Sequence, residues 1–199
     1  MQPTQAPQRC AQAVSLARRE RNRYHTAMLT PFWRWVTSPT VRYGGHPDVS
    51  LILPNLLVGE YPTPDDAGWL RQCHGVTSVV CLQDFADLAS KGLELHELQQ
   101  AYRAHHVAFH HVPVPDCDVE TLSARLDGLV ALLSGLVSEG ERVYLHCNAG
   151  LNRAPTVAIA YVHVEQGLPL GAARDFVKGR RQCAPYMTVL EARYGGSAG

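Results

Sequence analysis

The stretch that decides the fold is RVYLHCNAGLNRAPTVAIAYVHVEQ, residues 142–166. A short strand is predicted over residues 142–146, because this apolar run follows the turn at 139–141. A helix is predicted from Arg153 to Gln166. The residues between them, Cys147 to Asn152, therefore form a loop that joins the carboxyl end of a strand to the amino end of a helix.

Upstream and downstream of this loop, from Asp48 onward, short apolar runs alternate with helical patterns. Strands are predicted at 51–53, 56–58, 76–82 and 107–112, and helices at 64–70, 93–105, 119–138 and 169–180, with a last helix after Pro185 that ends at 195–196. The first two strands flank Pro54 and Asn55 and form a hairpin-like entry. This order predicts a single α/β domain with a central, mostly parallel sheet flanked by helices.

The composition excludes several classes of protein. The chain has 199 residues, 46% of them hydrophobic, with a net charge of +0, so a disordered tail or a fibrous repeat is excluded. No apolar run approaches the roughly 18 residues that cross a bilayer, so we expect a soluble, intracellular protein without a membrane span. We expect no nucleic-acid partner either.

The charge is unevenly distributed. Residues 1–47 hold seven arginines and one acid, giving +6, so residues 48–199 carry −6. The first 19 residues are free of acids, which is also typical of an organellar transit peptide. A basic surface helix over residues 11–29, packed on the domain, is the favoured alternative, and it leaves the protein in the cytoplasm.

The loop from Cys147 to Asn152 has the features of a phosphate-binding site with a nucleophile. A loop between a strand and a helix amino end turns several backbone N–H groups into one concavity, where they bind a phosphate and lower the pKa of a thiol. Gly150 allows a close backbone approach, and Arg153 offers a planar fork to two phosphate oxygens. The alternative, a structural cysteine beside a surface arginine, leaves His146 and Gly150 unexplained.

Residues 146–155, HCNAGLNRAP, resemble the signature loop of the cysteine-dependent dual-specificity phosphatases. Within that family, the sequence Arg153-Ala154-Pro155 is most similar to the plant starch-associated glucan phosphatases and to laforin. Similar segments follow in the family's order at 24–28, 57–59, 81–83 with 87–88, 116–118 and 180–183. The resemblance implies a protein tyrosine phosphatase-like domain over about residues 24–192, between a basic segment (1–23) and a Gly-rich end (193–199).

The resemblance also implies the chemistry. Cys147 attacks phosphorus and forms a phosphocysteine, without a metal or another cofactor. Arg153 holds the phosphate together with the loop residues Asn148, Ala149, Gly150, Leu151 and Asn152. Asn152 stands where the family usually has glycine, and we expect asparagine to tolerate an unusual backbone there.

Two aspartates compete for the role of general acid, which must protonate the leaving alkoxide. Asp116 lies in a stiff loop after a strand and aligns with the first aspartate of the family's acid loop. Asp118 directly precedes a predicted helix, so an N-cap role explains it without chemistry. We therefore expect Asp116 to be the acid.

Other side chains near the loop have expected supporting roles. His146 is expected to orient and tune the thiolate. Cys81 ends a parallel strand at the same sheet edge, which makes it a candidate disulfide partner of Cys147, although packing as a core cysteine is slightly favoured. Four histidines, His105, His106, His110 and His111, only superficially suggest a metal cluster, because neighbouring residues of a strand point to opposite faces.

The substrate is less well indicated than the chemistry. The resemblance implies phosphoglucan, yet Ser90-Lys91 and Cys117 stand where the glucan phosphatases carry aromatic residues that stack on sugar rings. Trp33, Trp35 and Tyr61 are candidates for another stacking surface, although packing roles are favoured for them. The alternatives are a phosphoprotein (Tyr, Ser or Thr) or small phosphoester substrate and, from a different class, an inactive phosphate-binding module.

Overall fold

The computed structural model describes residues 45–196. The expected basic helix, the transit-peptide alternative, Trp33 and Trp35 lie outside this range. The strands are β1 (Val49–Leu53), β2 (Leu56–Gly59), β3 (Ser78–Cys81), β4 (Ala108–His111) and β5 (Val143–His146). The helices are α1 (Asp66–His74), α2 (Phe85–Ser90), α3 (Leu95–Ala104), α4 (Val119–Ser138), α5 (Arg153–Gln166), α6 (Leu170–Lys178) and α7 (Met187–Tyr194).

The five strands form one sheet in the order β1-β2-β5-β3-β4. β1 pairs with β2 in the antiparallel sense, which confirms the hairpin, and all the other neighbours are parallel. His146 at the end of β5 lies opposite Gly59 of β2 and Cys81 of β3. The loops that follow these three strands therefore meet at one edge of the sheet, where sites in α/β proteins are built.

Helices cover both faces of the sheet, as the sequence predicts. Alternate residues of β5 face opposite sides: Val143 and Leu145 lie in the core with α4 and α5, whereas Tyr144 packs with buried residues of α1 and α3. The larger core lies on the α4–α5 side and also takes in buried residues of α6 and α7. Because both faces are covered, every residue of the central strands β2, β3 and β5 is buried, and most of these residues are apolar.

The predicted and observed elements differ at their ends and at one helix. The predicted bounds of α4 and α5 are confirmed, whereas β3 and β4 are shorter than predicted. α1 continues to His74 and ends at Gly75, which adopts a left-handed φ of 66°. α2 was not predicted, because six residues are too few to show a helical period. It is defined at its start by a capping box between Asp84 and Asp87.

By length and composition alone, α4 is the one helix within residues 45–196 that is apolar enough to cross a membrane. Its leucines at 122, 126, 129 and 133 are buried in the core of the domain. Its two ends carry polar N-cap and C-cap residues, Asp118 and Glu139. The apolar face of α4 thus packs in the core of the domain.

Candidate active site

The predicted loop connects β5 to α5 at the sheet edge where β2 and β3 also end. Cys147 and Arg153, at its two ends, are each only 2% exposed. Arg153 is the first residue of α5, so the loop lies at the positive end of that helix dipole. The structure thus places all the predicted phosphate-loop residues in one turn.

The backbone carbonyls of this loop point away from its concave side. Each carbonyl of residues 148–152 accepts a hydrogen bond from outside the loop. The donors are the N–H of Tyr61, the guanidinium of Arg181 (to 149 and 150), the N–H of Ala184 and the N–H and hydroxyl of Thr156. Among the hydrogen bonds of residues 45–196, none uses an N–H of residues 148–152 as its donor. This leaves the N–H groups to form an anion-binding nest.

Gly150 is the position in the loop that requires glycine. It adopts a left-handed φ of 63°, and a Cβ there would collide with the backbone of Gly59 and with Arg181. Asn152, by contrast, has φ −115° and ψ −76°, outside the left-handed region. Its side chain donates to the carbonyl of Ala184 at 2.7 Å. The tolerance we expected of asparagine is therefore not needed, and Asn152 instead anchors the loop to the segment before α7.

Arg153 makes contacts with three groups, one in helix α2 and two in the segment between β4 and α4. Its Nη1 donates to Asp87 at 2.5 Å and to the carbonyl of Val114 at 2.7 Å, and its Nε lies 3.3 Å from a carboxylate oxygen of Asp116. Burial of the guanidinium lowers the pKa of Arg153, but Cys147, Asp87 and Asp116 outweigh this effect and raise it overall. A permanently charged fork is thus held at the end of the nest.

Asp87 is a site residue to which the sequence analysis gave no role. It is 8% exposed and lies in α2, where its carboxylate accepts hydrogen bonds from Arg153 and from the side chain of Asn148. The buried Gln83 donates to the other side of the same Asn148 amide at 2.6 Å. The signal for α2 was present as the capping pattern of Asp84 and Asp87, but a capping pattern does not reveal contacts 61 and 66 residues away.

The two candidate acids are in different surroundings. Asp116 lies beside Arg153, and half of its side chain is exposed. Asp118 caps α4, where it accepts from the N–H of Thr121 at 2.9 Å and from its hydroxyl at 2.6 Å. These hydrogen bonds lower the pKa of Asp118, which disfavours proton donation. Between them, Cys117 adopts a left-handed φ of 61°, so the chain turns sharply.

His146 is fully buried next to the thiol. Its Nδ1 lies 3.3 Å from the carbonyl oxygen of Cys147, and its ring stacks on Tyr144. Burial lowers the pKa of His146 to about 3, with smaller contributions from Arg153 and His111. With its pKa lowered in this way, the imidazole is expected to be neutral at neutral pH, and the role of His146 in orienting the thiolate stays a prediction.

Cys81 is a buried free thiol, and so is Cys147. The end of β3 brings Cys81 opposite His146, and its Sγ lies 4.0 Å from the side-chain oxygen of Gln83. Burial raises the pKa of Cys81 to about 12, so its thiol stays protonated at neutral pH. The suggested disulfide with Cys147 remains a prediction.

The four histidines His105, His106, His110 and His111 lie in two different segments of the chain. His105 and His106 follow α3, whereas His110 and His111 lie on β4. His111 bonds the backbone carbonyl of Gln83 at 2.7 Å. Within the described residues, no three His, Cys, Asp or Glu side chains are grouped so that they could hold a metal.

An exposed aromatic ring stands at the rim of the site. Phe85 is 67% exposed at the start of α2, two residues before Asp87, and its ring packs edge-on against His111. Tyr186 lies on the other side, near Asp116 and Cys117, and burial with these neighbours raises its pKa to about 12. Tyr61, a candidate stacking residue, has Lys91 over its ring at 5.4 Å.

Comparison with known proteins agrees with this geometry. The profile of the family described as "Dual specificity phosphatase, catalytic domain" matches residues 86–188. "Phosphoglucan phosphatase DSP4, amyloplastic" of Castanea sativa is 32% identical over 146 residues, 72% of this chain and 39% of that protein. Mouse laforin is 28% identical, over 66% of this chain and 43% of laforin. Mouse "Dual specificity protein phosphatase 2" is 30% identical, over 65% of this chain and 36% of that protein.

A solved structure gives the same fold. The crystal structure of Tk-PTP in the active form has a TM-score of 0.62 and 24% identity, covering 74% of this chain and 97% of that one. The chain spans about two fifths of the length of the Castanea sativa phosphoglucan phosphatase and of mouse laforin.

Proposed function

The chain belongs to the dual specificity phosphatase family, and from this premise we propose that it hydrolyses phosphomonoesters on glucan through a phosphocysteine intermediate. The observation that carries the proposal is the loop from Cys147 to Asn152, in which the backbone carbonyls of residues 148–152 are bonded outward while the N–H groups stay unused. A thiol and a buried guanidinium at the two ends complete a site for a tetrahedral dianion.

In the first proposed step, the thiolate of Cys147 attacks phosphorus in line, and the ester oxygen leaves with its bonding electrons. Asp116, in its protonated form, transfers a proton to that oxygen. The loop N–H groups and Arg153 stabilise the charge on the equatorial oxygens. Arg153 is supported in this role by Asp87 and by the carbonyl of Val114, which together fix its Nη1.

In the second step, water attacks the phosphocysteine and Cys147 leaves as a thiolate. The carboxylate of Asp116, formed in the first step, accepts the proton from the attacking water. Its place at an exposed edge of the site, beside the residue that holds the phosphate, supports both roles by proximity. Asp118 is unsuited to them because it caps α4.

Phosphoglucan is the proposed substrate class for two reasons. The relatives include a phosphoglucan phosphatase, and its similarity covers 72% of this chain. Phe85 presents a mostly exposed ring two residues from Asp87, where a sugar ring attached to the bound phosphate can stack. Because Ser90-Lys91 and Cys117 supply no ring, we expect weak binding of long glucan and no retention by insoluble starch.

A phosphoprotein substrate is the second candidate, since the relatives also include a dual specificity protein phosphatase. The test measures phosphate release from an aryl phosphate, phosphopeptides, phosphoinositides and solubilised starch. We expect activity on the aryl phosphate and on starch, abolished in Cys147→Ser and retained in Cys183→Ser, a matched change of another free thiol.

Two outcomes of this panel contradict the proposal. Turnover above a few per cent in Cys147→Ser means that another group attacks phosphorus. Efficient phosphopeptide hydrolysis without any release from starch replaces glucan by protein as the substrate.

We also propose that the phosphatase domain covers residues 24–192 and that the chain acts in an organelle. The amyloplastic relative and the acid-free first 19 residues support this location over the cytoplasm. A fluorescent protein fused to the carboxyl end of residues 1–44 should enter plastids. A diffuse cytoplasmic signal would refute the proposed location.

A further inference from the structure

Two adjacent arginines after α6 differ in their surroundings. Arg180 is exposed and stacks over the ring of Phe176, with the guanidinium carbon 3.5 Å from the ring centre. Arg181 is only 4% exposed. A buried guanidinium is costly unless it is fully hydrogen-bonded, so its position calls for an explanation.

The hydrogen bonds of Arg181 join two parts of the molecule. On one side, Nε donates to the carbonyl of Gly150 at 2.6 Å and Nη2 to that of Ala149 at 3.1 Å. On the other side, Nη1 donates to three oxygens of the β1–β2 hairpin and the residue before it. These are the carbonyl of Val58 and the hydroxyl of Ser50, each at 3.2 Å, and the carbonyl of Asp48 at 3.3 Å. Arg181 thereby connects the carbonyl side of the phosphate loop to the hairpin.

The charge of Arg181 is only weakly compensated. The carboxylate of Asp48 lies 3.7 Å away, and its side chain is 32% exposed, which weakens the attraction. The guanidinium therefore adds positive potential to the back of the loop that holds the phosphate. This adds to the effect of Arg153 at the other end of the loop.

We propose that Arg181 is a positioning residue of the phosphate site. By holding two consecutive carbonyls outward, it keeps the N–H groups of residues 148–152 turned toward the anion. The other carbonyls of the loop are held by backbone N–H groups or by Thr156, so Arg181 is the side chain on which the middle of the loop depends. The inference rests on the proposed function, because it assigns a role within the same site.

The experiment compares Arg181→Lys with the matched neighbour Arg180→Lys. Lysine keeps the charge but cannot bond both carbonyls and the hairpin at once. In Arg181→Lys we expect the inhibition constants of tungstate and inorganic phosphate, and the KM for an aryl phosphate, to rise about tenfold, as for lost hydrogen bonds of a charged group. Arg180→Lys should leave all three unchanged.

Thermal unfolding separates positioning from folding. All constants are measured well below the melting temperature of each variant. Ser50→Ala removes one hairpin acceptor of Arg181 without touching the loop, and we expect it to change the tungstate constant in the same direction by a smaller factor. Arg181→Met, which also removes the charge, should weaken anion binding more than Arg181→Lys does.

The proposal is overturned if folded Arg181→Lys binds tungstate as the wild type does, or if only the melting temperature falls. If Arg181→Met does not fold, the Lys and Ser50→Ala variants decide the question in the same way. Failure of the proposed function looks different: the wild-type protein itself would then release no phosphate from any ester, whatever the Arg181 variants do to tungstate binding.

Discussion

The floor and the rim of the site are built differently. The floor, residues 147–153, has buried ends, and the carbonyls of residues 148–152 are all hydrogen-bonded. The rim consists of Phe85, which is 67% exposed, and the half-exposed side chain of Asp116. Phosphate is common to every substrate of such an enzyme, whereas the group that carries it varies. We therefore expect the proposed phosphate site to be held in place by the core and substrate choice to depend on a few exposed side chains.

The same contrast applies to the two carboxylates beside Arg153. Asp87 is buried and bonds both Arg153 and Asn148, so it can only hold them in place. Half of the Asp116 side chain is exposed, and it meets Arg153 at a longer distance, 3.3 Å. A bound phosphate dianion can displace the second carboxylate far more easily than the first.

The largest expected effect distinguishes the roles of Asp116 and Asp118, the two candidate acids. Asp116→Asn should slow the hydrolysis of sugar or serine phosphates by about 10²–10⁴, the usual loss when acid catalysis is removed, and affect aryl phosphates less. Asp118→Asn is the control, because asparagine still caps α4. Steady-state rates on both ester types test this. If Asp118→Asn shows the leaving-group dependence, the acid is assigned to the wrong residue.

Asp87→Asn tests the floor. It leaves the guanidinium of Arg153 without its buried carboxylate partner, so we expect phosphate and tungstate to bind about tenfold more weakly and the protein to lose about 3 kcal/mol of stability. Asp84→Asn keeps the cap of α2 and should change neither value by more than a small factor. If the two changes have equal effects, the role of Asp87 is only to stabilise the start of helix α2.

Oxidation tests whether Cys81, at the end of β3, can reach Cys147 in the floor. Peroxide converts the Cys147 thiolate to a sulfenic acid, and the Cys81 thiol then displaces water to form a disulfide. Because the pKa of Cys81 is about 12, we expect this step to be slow. Peptide mapping should show the crosslink, and added thiol should restore activity in the wild type. In Cys81→Ser, continued exposure to peroxide should oxidise the unprotected sulfenic acid to sulfinic acid, which added thiol does not reduce. Irreversible loss without a crosslink would show that Cys81 is a core residue only.

Phe85→Ala tests the rim by itself. We expect the KM for solubilised phosphoglucan to rise severalfold, because one stacking contact is worth about 1 kcal/mol, while aryl phosphate hydrolysis stays unchanged. The matched control is Leu51→Ala, which removes an exposed apolar side chain from the edge strand β1. An unchanged KM for glucan in Phe85→Ala would remove the main structural support for a sugar substrate.

The smallest effect concerns stability against pH. The pKa of buried His146 is lowered to about 3 and that of His74 to about 4, from 6.5. Between about pH 6.5 and 4 the unfolded chain therefore binds protons that the folded chain does not. The melting temperature should decrease as the pH is lowered through this window, and it should be flat above the window. His74→Gln, far from the phosphate loop, should reduce this slope. A melting temperature that rises toward pH 4 would contradict these shifts.

Much of the floor could be predicted from the sequence, because local patterns encode it. The strand, loop and helix of residues 142–166 and the bounds of α4 follow from short apolar runs, turn residues and helical spacing. The parallel sheet follows from the alternation of strands and helices. The N-cap of Asp118 was likewise predicted from its place before a helix, and the hydrogen bonds to Thr121 confirm it.

By itself, the sequence determined the elements except α2, together with the phosphate loop and its two chemical groups, since each is set by residues close together in the chain. Tertiary structure alone decided which distant side chains complete the site. Asp87 meets Arg153 across 66 residues, and Arg181 meets Gly150 across 31 and Val58 across 123. Such contacts depend on which strands become neighbours and on burial that makes an unpaired charge costly, and neither is encoded in local periodicity.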